Sequence, residues 1–299
     1  MLVVVTPVKN EGERLIDLAN QLVVQTLVPD LWIIVDDNST DATSDVAKQL
    51  ARDYKFVVNI SLNECSVYDE VFRYGQVVHT GFNYALNFCD APDFLGVLDA
   101  DVKLKKNHYE ALVNAFDSMP QLGIASGTFI ESKNGTSCSF LENAQNLSIC
   151  GADMTFRKDC LIDIGGFPTC PRPDTVALLK AANRGWKIGV VSSTYVIHLR
   201  GNISFDKYSR IGFANYMLGY HKMNALISGP WLALRNLSLS PLGFTTGYLT
   251  GLAKGNKIAD EEITRYFRES FFRYIHKFSS LLSHTNVSMD PIENATVKL

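Results

Sequence analysis

The sequence lacks the features that define several large protein classes. No uninterrupted apolar run reaches about 18 residues, the length expected of a membrane-spanning helix. The six cysteines form no Cys-x-x-Cys pair. The first two thirds of the chain contain no cluster of Lys and Arg with interleaved aromatic residues. We therefore predict a protein without a transmembrane helix and without a nucleic-acid partner.

The N-terminal residues also do not predict a secretory leader. The N-terminus has no basic n-region, and its apolar stretch stops too early for a signal peptide. Residues 2–5 fit a buried strand better. A chain of 299 residues without a leader is expected to keep its thiols reduced, so we predict a cytoplasmic protein.

No glycine-rich phosphate loop follows the first predicted strand. Nicotinamide-dependent dehydrogenases carry Gly-x-Gly-x-x-Gly at this position, whereas residues 7–12 read PVKNEG. A sugar-1-phosphate nucleotidyltransferase would also need a glycine-rich loop here. The dehydrogenase is therefore excluded, and the nucleotidyltransferase remains the weaker alternative.

Charge is distributed unevenly along the chain. Residues 1–199 contain 16 Lys and Arg against 24 Asp and Glu, a net charge of -8, whereas residues 200–299 contain 12 against 7, a net charge of +5. This asymmetry suggests two functional faces. The change to a largely helical, aromatic-rich pattern from 205 onward predicts two domains, 1–204 and 205–299. The second domain has three candidate roles, namely the acceptor side, a dimer contact or a membrane surface on which Trp231, Phe244 and Tyr248 reach the lipid interface.

Apolar runs alternate with amphipathic segments along the first hundred residues. Strands are predicted at 2–5, 31–35, 56–60 and 94–98, and helices at 11–25, 41–52 and 75–88. This rhythm predicts an α/β fold with an open, mainly parallel sheet and helices on both faces. Farther along, we predict strands at 123–126, 188–191 and 195–198, a helix at 176–183, a largely helical region from 205 and a frayed last dozen residues.

Polar residues follow three of these strands where each one ends, at Thr6–Glu11, Asp36–Ser39 and Asp99–Asp101. Ligands bind beyond the carboxyl ends of strands in such sheets. Residues i and i+2 point to the same side of a strand, so Asp99 and Asp101 can converge and would repel each other without a cation between them. Carboxylate oxygens suit Mg²⁺ or Mn²⁺, which would in turn anchor a diphosphate.

The second polar segment has two interpretations. Ser39 and Thr40 are suited to cap the helix that follows. Asp37 is the better ligand candidate, because an acid at the carboxyl end of a strand faces the crevice. His79 and His108 fall on predicted helices, and we expect both at the surface.

Taken in order, a series of short segments resembles the family-2 glycosyltransferases of the GT-A fold. The likeness covers residues 2 to about 205, and its segments are Thr6–Glu11, Ile33–Asp41, Leu98–Asp101, Gly151–Arg157, Ile164–Phe167, Asn183–Ile188 and His198–Gly201. The resemblance implies a Rossmann-like, mixed and mainly parallel sheet flanked by helices, followed by a helical C-terminal extension.

The resemblance also implies a role for each matching residue. Asp37 would contact the nucleotide base, and Asp99 would lie by the ribose and the metal. Asp101 would bind the divalent cation, with His198 as a further metal or phosphate contact, and Asp174 would be the catalytic base. The remaining matches would line the nucleotide site (Pro7, Asn10, Glu11) and the cleft for donor sugar and acceptor (Asp153, Arg157, Arg200).

Two departures from the family pattern refine the expected activity. Pro173 occupies the place of the Glu that usually precedes the catalytic base, and the Gln-x-x-Arg-Trp signature of processive synthases is absent. We therefore expect an inverting, Mg²⁺- or Mn²⁺-dependent enzyme that moves one sugar from a UDP- or GDP-linked donor. The acceptor would be a glycan or a lipid phosphate, and the enzyme would work in the cytoplasm or at the cytoplasmic membrane face. The alternative is a catalytically silent protein that binds nucleotide sugars.

Overall fold

The computed structural model describes residues 1–62, 70–88, 92–133, 136–137, 149, 151–199, 203–255, 257–270, 272–273 and 290–299. The chain divides into two compact units. The first unit comprises residues 1–169, 173–201 and 295–299, and the second comprises 170–172 and 202–294. The change of unit after residue 201 lies close to the boundary expected at residue 204.

Strands and helices alternate in the first unit. The elements up to residue 98 are β1 (Leu2–Val8), α1 (Gly12–Leu22), β2 (Leu31–Asp36), α2 (Thr43–Asp53), β3 (Val57–Ser61), α3 (Glu70–Phe88) and β4 (Phe94–Leu98). They are followed by β5 (Val102–Leu104), α4 (His108–Ser118), β6 (Leu122–Lys133), β7 (Thr136–Ser137), β8 (Asp153–Arg157), α5 (Lys158–Asp163), α6 (Pro173–Asn183) and β9 (Lys187–His198). The predicted alternation in the first hundred residues is confirmed.

The strands of the described residues form one sheet in the order β10-β9-β6-β8-β4-β1-β2-β3, with β5 beside β9 and β7 beside β6. Here β10 is the C-terminal strand Thr296–Lys298. Neighbouring strands from β4 to β3 are parallel, whereas β8 runs antiparallel to both β4 and β6. The mixed, mainly parallel sheet that we predicted is therefore confirmed.

The central strands are apolar along their length because helices cover both faces of the sheet. Every residue of β4 is buried, and Val3–Val5 of β1 and Trp32–Val35 of β2 have no exposed surface. The indole Nε1 of Trp32 donates a hydrogen bond of 2.9 Å to Thr6 Oγ1, which satisfies a polar group in this dry layer. Because β1, β2 and β4 are parallel, their carboxyl ends meet at one edge of the sheet.

Strand β9 is longer than predicted. The two predicted strands at 188–191 and 195–198 are parts of one strand that pairs in parallel with β6. The register shifts where Gly127 pairs with Val191 and Thr128 pairs with Tyr195, so residues 192–194 have no counterpart in β6. Because these extra residues are polar, they interrupt the apolar pattern, and the sequence therefore indicated two strands with a gap between them.

His108 contradicts its predicted surface position, because it has no exposed surface. Its Nε2 lies 3.1 Å from Asp153 Oδ1, and its Nδ1 lies 3.3 Å from Thr194 Oγ1. Asp153 Oδ2 also accepts a hydrogen bond from the backbone N–H of Gly127. Polar partners on two strands, Asp153 on β8 and Thr194 on β9, allow this imidazole to be buried.

The last residues are ordered, against the prediction of a frayed end. Strand β10 pairs in parallel with β9, where Thr296–Lys298 lie opposite Ile188–Val190. The backbone N–H and the Oγ of Ser192 both donate to the carbonyl oxygen of Leu299, each at 2.7 Å. The end of the chain therefore forms one border of the sheet.

The described part of the second unit is helical, which confirms the predicted helical extension. Its helices are α7 (Phe205–Met217), α8 (Lys222–Asn236), α9 (Leu242–Lys254), α10 (Glu261–Arg268) and α11 (Pro291–Ala295). Trp231 is exposed, but Phe244 and Tyr248 are buried against α7, and the predicted position of these two at a lipid interface is wrong. None of the described helices has both the length and the apolar content needed to cross a membrane.

Candidate active site

A cleft of about 290 Å³ lies at the carboxyl ends of β1, β2 and β4. Its walls come from the residues that follow these strands and from the first half of α3. The lining residues are Pro7, Val8, Lys9, Glu11, Asp37, Arg73, Tyr74, Val77, Asp99, Ala100 and Asp101. The cleft thus lies at the edge where parallel α/β sheets bind their ligands.

Two acids and a histidine meet at this cleft. Asp99, Asp101 and His198 each offer a ligand atom, and these atoms lie within 4.8 Å of one another. Strand pairing explains why residues so distant in sequence meet. Strand β5 follows Asp101 directly and pairs antiparallel with the end of β9, so that Val102 lies opposite His198. Residue 101 is therefore held beside residue 198.

The donor chemistry of this cluster fits a divalent cation. His198 is buried, and its Nε2 lies 3.0 Å from Asp101 Oδ1. Its buried Nδ1 has no hydrogen-bond partner in the described part of the chain, so the imidazole is oriented from the Nε2 side alone. Two carboxylates and one imidazole nitrogen suit a borderline cation, whereas Mg²⁺ prefers oxygen ligands throughout.

Tyr74 contacts this cluster, and sequence reasoning missed it. Its hydroxyl donates a hydrogen bond of 2.9 Å to Asp99 Oδ1 and lies 3.4 Å from the carbonyl oxygen of Gly151. No motif marks Tyr74, which sits in the second turn of a helix whose inner face is otherwise apolar. Only the docking of α3 against β1 brings the hydroxyl to Asp99.

Asp37 is buried at the other end of the cleft and lies between two cations. Arg73 donates to its Oδ1 from Nε at 2.6 Å and from Nη2 at 2.5 Å, and Lys9 Nζ lies 3.6 Å from its Oδ2. Burying a charged group without such partners costs free energy, so the two cations allow Asp37 to be buried. Arg73 is the second cleft residue that sequence reasoning missed, and it immediately precedes Tyr74 on α3.

The predicted nucleotide residues at and after the end of β1 differ in their positions relative to the cleft. Pro7 and Glu11 line the cleft. Burial raises the pKa of Glu11; the neighbouring Arg14 acts in the opposite direction, and Asp101 adds a smaller upward effect. Asn10 instead connects two loops, because its Oδ1 accepts from the backbone N–H of Thr40 at 2.8 Å and its own N–H donates to Ser39.

The segment after β2 contacts the first turn of α2, as the capping interpretation predicted, although Ala42, the N-cap residue, makes no side-chain hydrogen bond. Asp41 Oδ1 accepts hydrogen bonds from the N–H and the hydroxyl of Thr43, the first residue of α2. These bonds lower the pKa of Asp41. Ser39 turns back and donates to Asp36 at 2.6 Å.

Asp174 lies in the first turn of α6, beside the turn that carries Gly151. A Cβ on Gly151 would lie only 2.8 Å from Asp174 Oδ2, so this carboxylate rests against the glycine backbone. The carbonyl oxygen of Gly151 is also the one that Tyr74 approaches. Gly151 thus connects Asp174 to the Asp99 side of the cleft.

Two of the three predicted donor and acceptor residues, Asp153 and Arg157, do not line this cleft. Asp153 is buried against His108. Arg157 lies opposite Phe94, at the far end of β4 from Asp99, where its guanidinium donates to the carbonyl oxygens of Phe116 and Leu122. Arg200 lies outside the described residues.

Comparison with protein families supplies an independent finding. The family described as Glycosyl transferase family 2 matches residues 3–167, which is more than half of the chain. The matched range includes the cleft residues from Pro7 to Asp101. A search of curated proteins gives no match.

Solved structures with a similar fold include glycosyltransferases. The mannosyltransferase PcManGT from Pyrobaculum calidifontis, solved in complex with GDP-Man and Mn²⁺, is 15% identical with a TM-score of 0.55; the match covers 98% of this chain and 85% of that chain. S. aureus TarS 1–349 in complex with UDP-GlcNAc is 16% identical with a TM-score of 0.55, and the match covers 98% and 79%. Another structure of S. aureus TarS is 16% identical with a TM-score of 0.51, and there the match covers 73% of this chain but only 39% of that one. At these identities the likeness shows a shared fold.

Proposed function

Because the chain belongs to glycosyl transferase family 2, and is therefore a glycosyltransferase, we propose that it moves one sugar with inversion in a reaction that needs a divalent cation. The donor would be a UDP- or GDP-linked sugar, and the acceptor a glycan hydroxyl or a lipid phosphate. The observation that carries this proposal is the meeting of Asp99, Asp101 and His198 at the cleft edge. The similar folds solved with GDP-Man and Mn²⁺ and with UDP-GlcNAc support it.

Asp101 and His198 would hold the cation, with Asp99 as the third ligand. A bound cation would stabilise the negative charge that develops on the departing diphosphate. The imidazole nitrogen in this ligand set favours Mn²⁺ over Mg²⁺, since Mg²⁺ is selective for oxygen. We therefore expect the enzyme to accept both ions and to work better with Mn²⁺.

The nucleotide would bind across the cleft, with its base at Asp37. A carboxylate held by Arg73 is fixed in position and keeps acceptor lone pairs for a base N–H. Uracil and guanine both present such a donor. Lys9, which lies beside the same carboxylate, adds positive charge near the phosphates.

Asp174 would act as the general base toward a hydroxyl acceptor. As the acceptor oxygen forms its bond to the anomeric carbon, the bond from that carbon to the diphosphate oxygen breaks, and the hydroxyl proton passes to the Asp174 carboxylate. Attack from the face opposite the leaving group inverts the anomeric carbon. Such a base contributes roughly 10²- to 10⁴-fold to the rate. A phosphate acceptor is already ionised and would need this step less.

Nucleotide release from a panel of UDP- and GDP-sugars, with and without Mn²⁺, tests the proposal. We expect Mn²⁺-dependent release that Asp101→Asn abolishes, while Asp117→Asn, at an exposed position of α4, behaves as the wild type. Asp174→Asn should slow transfer to a hydroxyl acceptor roughly 10²-fold or more. Donor binding without any turnover would instead identify a catalytically silent nucleotide-sugar-binding protein.

The place of work is part of the same proposal. We expect the enzyme in the cytoplasm, on the cytoplasmic face of a membrane. The net positive charge of residues 200–299 supports association with anionic lipids. A lipid-phosphate acceptor would be met at that surface.

A further inference from the structure

Helix α8 exposes its large apolar side chains and buries its small ones. Ala225 and Gly229 are buried against α9, where Thr245 Oγ1 donates a hydrogen bond of 3.2 Å to the carbonyl oxygen of Ala225. The outward side chains are between 39% and 75% exposed and comprise Met223, Leu226, Ile227, Trp231 and Leu234. We call these five residues the α8 face.

The α8 face is continuous around the helix. At about 100° per residue, its five members fall within an arc of about 140°. An ordinary surface helix turns such a stripe toward the core. The apolar surface continues past the end of α8, where Leu237 is 95% exposed and Leu239 is 77% exposed. This much outward apolar surface indicates a binding surface.

Positive charge borders the α8 face. The exposed side chains of Lys222 and Arg235 stand at opposite ends of α8 and flank the apolar arc on its two sides. Residues 207–259 contain no Asp or Glu, but they contain six basic residues, namely Lys207, Arg210, Lys222, Arg235, Lys254 and Lys257. A second copy docked on this face would bring like charges together, whereas anionic lipid headgroups would neutralise them.

The helix behind α8 packs closely against α7. Gly243, Gly247 and Gly251 recur every fourth residue along α9 and let α7 approach closely; a Cβ on Gly247 would overlap the carbonyl oxygen of Ser209.

We propose that the α8 face is a membrane-docking surface for bilayers that contain anionic lipids. The helix would lie in the plane of the interface, with its apolar arc at the boundary of headgroups and acyl chains and with Lys222 and Arg235 at the headgroups. This inference does not depend on the chemistry of sugar transfer.

Flotation of the full chain with lipid vesicles tests the proposal. Vesicles of phosphatidylcholine alone are compared with vesicles that also contain phosphatidylglycerol, at low salt and at about 1 M salt, where the Debye length falls to about 3 Å. We expect flotation with phosphatidylglycerol at low salt and little flotation otherwise. The emission of Trp231 should shift to the blue on binding, whereas Trp32 is already fully buried.

Paired variants separate the apolar and the charge contributions. Trp231→Ser with Leu234→Ser should lower vesicle binding at least about tenfold. Lys222→Glu with Arg235→Glu should lower it by about 25-fold or more, at about fivefold for each basic residue lost. The control pair Val24→Ser with Ile162→Ser changes side chains of comparable exposure in the first unit and should leave binding unchanged.

Three outcomes would overturn the proposal. One is unchanged flotation of both α8 variants, with circular dichroism confirming that they are folded. Another is equal binding to vesicles with and without phosphatidylglycerol. The third is a wild-type dimer in buffer that the α8 variants convert to monomers without loss of flotation, which would make the face a contact between copies. An inactive Asp101→Asn protein that still floats would keep this inference separate from the proposed activity.

Discussion

Single side chains set the geometry of the candidate site. Tyr74 holds one oxygen of Asp99, and Arg73 holds one oxygen of Asp37. Each bond fixes a carboxylate that the proposed mechanism uses. A residue that positions a metal ligand affects ion affinity without contacting the ion, and this difference can be measured.

Tyr74→Phe should weaken Mn²⁺ binding. The variant keeps the ring and removes the hydroxyl that orients Asp99, at a cost of about 1 kcal/mol for one hydrogen bond, and hence about fivefold in affinity. A titration of activity against Mn²⁺ concentration measures the shift of the midpoint. Tyr84→Phe, on the same helix, is the matched control and should not move it. Identical midpoints for all three proteins would contradict a positioning role.

The buried thiol of Cys160 should make the free energy of unfolding depend on pH. Burial raises the pKa of its thiol from 9.0 to about 12, with a smaller upward effect from Asp163. A raised pKa in the folded state means that the thiol stabilises the fold fully below pH 9 and loses this contribution as the pH rises toward 12. The free energy of unfolding should therefore fall with pH, approaching about 1.4 kcal/mol per pH unit above pH 9.

Denaturant melts of the wild type and of Cys160→Ala between pH 8 and about 10.5 measure this effect. The cavity left by alanine lowers stability by a similar amount at every pH, so only the difference in slope reports the thiol. The wild type should lose stability faster than the variant. Parallel curves would mean that the thiolate is not penalised in the folded protein.

At the scale of elements, glycine positions decide how the second unit packs. Gly212 of α7 and Gly247 of α9 let the two backbones touch, since an added Cβ would overlap the carbonyl oxygen of Phe244 in one case and of Ser209 in the other. Backbone atoms cannot yield as the end of a flexible side chain can. The pair α7–α9 is therefore sensitive to a single methyl group.

Gly247→Ala should destabilise the second unit by about 1–2 kcal/mol. Overpacking against a backbone costs about 1–3 kcal/mol, and the better helix propensity of alanine returns up to about 1 kcal/mol. Thermal unfolding followed by circular dichroism measures the change. Thr250→Ala, on the exposed side of α9, is the control and should stay within about 0.5 kcal/mol of the wild type. A variant as stable as the control would contradict the close packing.

Elements and residues differ in how far the sequence predicts them. Strands such as β2 and β4 are predictable because their burial on both faces makes them continuously apolar. Asp99 and Asp101 converge as expected from their spacing, but they do so in the turn between β4 and β5 and not along a strand. The burial of His108, in contrast, depends on Asp153 and Thr194, which are distant in sequence. Its own helix pattern carries no signal for either partner.

The same limit applies to the cleft and to the sheet border. Arg73 and Tyr74 belong to no short motif, and only the docking of α3 against the sheet gives them their partners. Strand β10 is three residues long and polar at both ends, so it lacks the periodicity of a strand. Its pairing is decided by the free edge of β9. The positions of these residues are determined by tertiary contacts, which the local sequence pattern does not contain.

At the scale of the whole molecule, Mn²⁺ and nucleotide together should stabilise the chain by more than the sum of their separate effects. The proposed cation links Asp101 and His198 to the diphosphate, so neither Mn²⁺ nor nucleotide alone occupies the full site. At about 100 times the dissociation constant, a ligand adds about 2.7 kcal/mol to the stability of the folded state. This corresponds to about 5–10 °C in the melting temperature of a unit of this size.

A thermal-shift matrix of UDP, GDP and Mn²⁺ checks this expectation. One nucleotide with Mn²⁺ should raise the melting temperature by more than the two separate shifts combined. Asp101→Asn should lose the excess and keep the small shift from nucleotide alone. An equal nucleotide shift in the presence of a chelator would argue against a cation between protein and diphosphate.

Neighbouring positions on α3 have a consequence for selectivity. Arg73 holds Asp37, the proposed ligand of the nucleotide base, and Tyr74 holds Asp99, a proposed ligand of the cation. A helix is stiff over one turn. Any rotation or sliding of α3 therefore moves Arg73 and Tyr74 together, and with them the two carboxylates that they hold. A donor whose nucleotide base fits poorly at Asp37 would therefore displace the cation at the other end of the substrate. Discrimination between nucleotides would then change the rate of bond cleavage as well as the affinity for the donor.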